Sequence, residues 1–275
     1  MTPAFAALVG VARYEYRMHV RRWSLWTLPA LMVGLTAWIG MFALDPGRDL
    51  GSIARIVGGQ ALSMNLLALV VAGALAADRW VRDRSLGVEE LLDTQPTTPG
   101  TRLWGKYLGV TAASATPLAV IWAILAVRTG LHDHQWKTAA LAAAAFAVIT
   151  LPGLLFVAAF SIACPRVLGV RLYQVLFIGY WFWGNLVPSH LMPTLSDTWL
   201  TPVGKYANAA LFAHSDHALL LSGGANPAGA YVSISLLIGS SILLISVFGA
   251  SRNRTAAPTL PPPGDSLASP GRPQR

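Results

Sequence analysis

Apolar residues fall into six stretches that contain no Asp, Glu, Lys or Arg: residues 24–44, 56–77, 107–127, 138–163, 172–192 and 229–250. A hydrocarbon core about 30 Å thick is crossed by about 20 helical residues. Each stretch is long enough for that. Barrel strands would be about half as long and would alternate apolar with polar positions, which these stretches do not. The pattern predicts an all-α integral membrane protein with six transmembrane helices and no soluble domain.

The polar segments between the stretches are unequal. In residues 3–22, Phe5, Leu8, Val9 and Ala12 interleave at helical spacing with Arg13, Arg17 and Arg21. That spacing predicts an amphipathic helix lying in the membrane interface ahead of the first span. Residues 78–106 form the longest and most charged connection on the inner side, if the amino terminus faces the cytoplasm. Residues 193–228 exceed a simple link, and 206–221 are expected to form a short outer helix between Pro202 and Gly223-Gly224. The tail, 255–275, carries Pro258, Pro261, Pro262, Pro263, Pro270 and Pro273 and reads as disordered. Residues 1–254 therefore read as one transmembrane domain followed by a Pro-rich tail, with no internal repeat.

Composition agrees: 54% of the 275 residues are hydrophobic and only 12% are charged, about half the charged share of a soluble domain. The net charge of +8 raises the question of nucleic acid, but the positions of the basic residues answer it differently. With a cytoplasmic amino terminus, 15 of the 20 Lys and Arg residues fall on the inner side. The positive-inside rule then puts both termini in the cytoplasm, and no nucleic-acid partner is expected. Trp23, Trp26, Trp80, Trp104 and Trp136 stand near span ends, where interfacial anchors belong. Arg13, Glu15, Arg17, His19, Arg21 and Arg22 occupy the place of a signal peptide's apolar core, so retention of the amino terminus is expected. Cys164 is the single cysteine, which rules out a disulfide framework within the chain.

Candidate chemistry is sparse. Residues 100–106, GTRLWGK, fit the first seven positions of a phosphate-binding G-x-x-x-x-G-K loop. Tyr107 stands where Ser or Thr would hold Mg²⁺, no strand precedes the segment, and a membrane span follows at once. Nucleotide binding by this chain is not expected. None of the twelve acidic residues lies in a predicted span, unlike the intramembrane carboxylates of ion-coupled carriers. The polar residues left in the spans are Gln60, Asn65, Gln174, Asn185 and His190. Asn185 and His190, near the outer end of the fifth stretch, are candidates for a substrate path, although interhelical hydrogen bonding is the commoner role. His132-Asp133-His134, and His214 with His217, lack the further ligands of a metal site.

The segment ADRWVRDRSLGVEELLDTQPTTPGTRLWGKYL, residues 77–108, is the most informative. From composition alone it is either a solvated connection or a short acidic-apolar helix that docks in a partner's groove. The order Arg82-Asp83, Gly87, Glu90-Leu91-Leu92, Thr94 with Pro96, and Gly105-Lys106 resembles the loop between the second and third spans of ATP-binding-cassette permeases of the type-2 exporter family. Gln95 separates Thr94 from Pro96, where that family often has them adjacent. YEYRMHVRR in the amino-terminal helix, the six stretches and the long outer segment extend the resemblance over the chain.

The resemblance implies a multi-pass subunit of a bacterial cytoplasmic membrane, working with a second permease copy or a related permease and with a separate ATPase subunit. ATP and Mg²⁺ would be bound by that partner, and this chain would be neither enzyme nor cofactor protein. Asp83, Glu89, Glu90, Leu91 and Leu92 would contact the ATPase, with the amino-terminal helix as a second contact. The alternative from another class is a membrane-embedded enzyme or an accessory or sensor protein without transport.

Overall fold

The computed structural model describes residues 2–38, 50–85, 97–132, 136–187, 191, 194, 198–213 and 226–255. Among the described residues all regular structure is helical. The elements are α1 (Pro3–Val20), α2 (Trp23–Trp38), α3 (Leu50–Ser85), α4 (Pro99–His132), α5 (Trp136–Ala145), α6 (Leu151–Ala163), α7 (Pro165–Leu168), α8 (Val170–Leu186), α9 (Lys205–Asn208) and α10 (Pro227–Thr255). A π-helical segment, Phe146–Thr150, joins α5 to α6, and a second, Ala209–Ala213, continues α9.

Apolar sequence in a bilayer must satisfy its backbone internally, and a helix does so within one segment. Four segments are long and apolar enough to cross a membrane: Ile53–Arg79, Pro99–Ile124, Trp136–Leu168 and Pro227–Ser251. They contain the second, fourth and sixth charge-free stretches and most of the third. The first and fifth stretches correspond to α2, 16 residues, and α8, 17 residues. Helices α3 and α4 outrun their stretches: the 36 residues of α3 make a rod of about 54 Å.

The π segment between α5 and α6 has a local cause. Pro152 has no N–H for the ladder, and the helix widens just ahead of it, the Leu151 N–H bonding Phe146 O. Within that segment the buried carbonyl of Ile149 accepts from Asn65 Nδ2 of α3 at 3.0 Å.

Packing centres on α3, α4 and α6. One apolar cluster joins Val57, Met64, Leu118, Trp122 and Ile149; a second joins Leu103, Tyr107, Val110, Ile162 and Ile245. Helix α1 packs along α4, the most extensive contact between any two of the described elements. Gly105 and Gly109, one turn apart on α4, permit the approach. A Cβ on Gly109 would lie 2.5 Å from Ala12 O and 2.7 Å from Glu15 Cβ, and one on Gly105 would lie 2.7 Å from Val11 Cγ1.

Candidate functional site

The contact between α1 and α4 buries a polar node at the end of α3. Glu15 and His19 are four residues apart and so share one face of α1, while Arg13, Arg17 and Arg21 point to the exposed side. His19 is fully buried, and Glu15 and Arg79 are 4% and 3% exposed. Arg79 donates from Nε at 3.1 Å and from Nη2 at 2.6 Å to His19 Nδ1, and its Nη1 lies 3.7 Å from Glu15 Oε2. On the far side of the ring, His19 Nε2 is 3.4 Å from Ser114 Oγ of α4. Because Nδ1 accepts from a guanidinium, the neutral ring carries its proton on Nε2 and donates it to Ser114. Burial pushes the His19 pKa down to about 3, helped by the positive charges of Arg79 and Arg22. At the node's edge Arg22 meets Asp78 at 3.7 Å, and Tyr16 hydroxyl meets Thr116 Oγ1 at 3.2 Å. One arginine of α3 thus fastens α1 next to the segment 86–96 that links α3 to α4.

Of the residues expected to touch an ATPase, Asp83 lies in the last turn of α3, four residues beyond Arg79. Glu89, Glu90, Leu91 and Leu92 lie outside the described residues. The segment GTRLWGK lies wholly within α4. A helical backbone spends its N–H groups on its own carbonyls and offers no loop to wrap phosphates, and Gly105 serves the approach of α1 instead.

A second polar cluster surrounds Asn185, which is 5% exposed. Its Nδ2 donates to Trp181 O at 2.8 Å, its Oδ1 accepts from Thr201 Oγ1 at 3.3 Å, and its carbonyl accepts from Lys205 Nζ at 3.1 Å. Lys205, expected in an outer connection, is 1% exposed. Its ammonium sits at the carboxyl end of α8, where the helix dipole favours a cation. Asn65 donates to Ile149 O and Val203 O, both at 3.0 Å, and Gln174 Nε2 donates to Ala74 O at 2.9 Å. These span amides hold segments together, as the commoner role had it. Asn185 also borders a small cavity, and its own amide is engaged within the fold. His190, Asp133, His134, His214 and His217 lie outside the described residues.

Of these two clusters among the described residues, the first binds α1 to α3 and α4 through charged and imidazole groups, and the second binds α8 to Thr201 and Lys205 through Asn185. In the first, Ser114 Oγ lies 3.4 Å from His19 Nε2, but the ring's lone pair on Nδ1 faces Arg79, so the imidazole is not set to take the hydroxyl proton; neither cluster holds paired carboxylates. Among the described residues no group of three His, Cys, Asp or Glu converges on a metal position. No protein-family model matches the chain, and no curated protein matches it. Glu15, His19, Arg79 and Ser114 were not singled out from sequence. Their signal was a Glu and a His four apart among apolar residues, opposite three arginines, with Gly105-x-x-x-Gly109 elsewhere to receive them.

Proposed function

We propose that the chain is the transmembrane subunit of an ATP-binding-cassette exporter of the type-2 family in a bacterial cytoplasmic membrane. Six helices would span the bilayer, with both termini cytoplasmic. Besides the four long apolar helices, α2 and α8 complete the set, since the charge-free sequence runs on to Leu44 and Met192. ATP and Mg²⁺ are held by a separate ATPase subunit, and a second permease, alike or related, completes the translocation path. The lining, rich in Leu, Val, Trp and Phe, suits lipidic, drug-like or peptide cargo.

The observation that carries this reading is the latch at Arg79. A push on residues 86–96 reaches the ends of α3 and α4 directly, and through Arg79 and Ser114 it reaches α1 as well. Force applied at one connection then moves three helices together, which a permease powered from outside requires. Such a transition is rigid-body motion biased by nucleotide on the partner. Asp83, Glu89, Glu90, Leu91 and Leu92 form the contact with the ATPase, Asn185 and His190 flank the path, and the exposed arginine face of α1 supplies the second contact.

The test is co-expression with an ATPase encoded beside this chain, followed by affinity purification. The ATPase co-purifies with the wild type, and Glu89→Lys with Glu90→Lys weakens that association and uncouples ATP hydrolysis from export. An unchanged complex with the double variant would overturn the assignment of the coupling segment. Failure of any such ATPase to associate would overturn the permease reading itself.

A further inference from the structure

A cavity of about 100 Å³ lies between α6 and α8, walled by Phe156, Phe160, Phe177, Tyr180, Trp181 and Gly184. Asn185 and Pro202 complete it. Its rim reaches the surface, since Phe160 and Tyr180 are 41% and 52% exposed. We infer that this cavity holds part of a single lipid acyl chain, admitted from the bilayer between α6 and α8.

Three observations select that occupant. The buried polar groups in the wall have partners inside the fold: the Trp181 indole donates to Leu66 O at 2.6 Å, and the Asn185 amide is engaged with Trp181 O and Thr201. The remaining polar side chain of the wall is Tyr180 at the exposed rim, and its single hydroxyl is fewer than the roughly two to four partners that a water in the cavity needs. Next, the helix face beside the rim is apolar and uncovered, with Leu172, Val175 and Leu176 at 53%, 70% and 50% exposure. With α8 in the membrane, hydrocarbon is the solvent at the mouth. Finally, the volume is about two-thirds of the 150 Å³ apolar cavity known to take benzene in another protein, which suits a narrow unbranched chain. An empty void would forfeit dispersion contacts along its whole wall.

The inference rests on α8 being embedded in lipid and not on the identity of any cargo. Its test uses the full-length protein in nanodiscs made with a phosphatidylcholine that carries a photoactivatable diazirine in one acyl chain, with labelled residues located by mass spectrometry. Phe156 and Phe160 of α6 and Tyr180 of α8 should label more heavily than Val175, which faces outward from α8. Gly184 supplies the variants, because a Cβ there would lie 3.5 Å from the Tyr180 ring, in ordinary contact. Gly184→Leu fills the cavity and should lower labelling of Phe156 and Phe160 roughly ten-fold, the discrimination an occupied apolar pocket exerts. Gly184→Ala, which the site accommodates, should give an intermediate loss and guards against misfolding of the larger variant. Labelling of Val175 with none in the cavity, or cavity labelling unchanged in both variants, would overturn the inference. Absence of label from Val175 as well would overturn the embedding of α8 along with it.

Discussion

Arg79 meets His19 and Glu15 in a buried setting, and replacing it measures what fastens α1. Arg79→Met keeps an apolar stem but removes both donors to His19 Nδ1 and the guanidinium 3.7 Å from Glu15. Removing one member of a buried pair costs about 3–5 kcal/mol, because the other charge stays in a poorly solvating place. The neighbouring pair, Arg22 with Asp78, has side chains 21% and 47% exposed, and such pairs contribute at most about 1 kcal/mol. Arg79→Met should therefore destabilise the purified protein in detergent well beyond Asp78→Asn, by roughly 3 kcal/mol in reversible unfolding followed by circular dichroism. Adding Glu15→Gln to Arg79→Met removes the charge that faced the guanidinium, so the double variant should fall short of the summed single costs by about 1 kcal/mol or more. Equal costs for Arg79→Met and Asp78→Asn, or strict additivity in the cycle, would refute the reasoning.

The same node fixes a pH dependence. His19 is held neutral with its pKa lowered to about 3 from 6.5, so between those values the unfolded chain binds a proton that the folded one does not. Stability is then complete above about pH 6.5 and declines as the pH falls towards 3, by at most about 1.4 kcal/mol per unit. Glu15, Arg79, Arg22, Asp78 and the Ser114 hydroxyl also surround or border the ring, so the slope belongs to His19 only by comparison. His19→Asn keeps an acceptor towards Arg79 and cannot titrate; the slope should flatten in that variant, and an unchanged slope would refute the assignment.

Gly109→Leu drives a side chain into Ala12 O and Glu15 Cβ, at a cost of about 1–3 kcal/mol of overpacking. It should release α1, seen as faster tryptic cleavage at Arg13 and Arg17. Asn65→Leu removes the donor to Ile149 O and Val203 O and should lower stability by about 2 kcal/mol through two buried carbonyls left without it; a loss near zero would show that water replaces the amide. Deleting residues 256–275, where six of the chain's prolines lie or border, should leave thermal stability unchanged, and a fall in midpoint would show that the tail packs on the helices.

The long helices were legible because bilayer length and freedom from charge act on each segment alone. Four stretches therefore coincide with helices of spanning length. The position of α1 was not legible in the same way. Its apolar set, Phe5, Leu8, Val9 and Ala12, predicted a face for lipid, and Phe5 and Val9 are 50% and 42% exposed; what the pattern did not reveal is that the face carrying Glu15 and His19 packs inward. Periodicity reads solvent preference residue by residue and cannot see that Arg79, sixty positions away, meets that face. The same limit applies to Lys205, which charge counting put in an outer connection. Its long stem can be buried while its ammonium reaches the Asn185 carbonyl. Asn65 was legible as a polar residue in a span, but its partners depend on the π segment ahead of Pro152, a backbone event that no side-chain pattern announces.

The buried charges also bear on how the helices move. A helix held to its neighbours by apolar contact alone can slide, since one lipid-like surface replaces another at little cost. Helix α1 cannot slide that way. Any shift along α4 first meets the Gly105 and Gly109 contacts, where Val11 and Ala12 already touch α4 closely, and then strips Arg79 from His19 in a place too dry to re-solvate it. Packed and polar constraints act in the same direction, so α1 and the adjoining parts of α3 and α4 follow one another as a body. On the proposed function, a partner that engages residues 86–96 would work on that body, and the remaining helices are joined to it by neutral hydrogen bonds and apolar surface in place of buried charges.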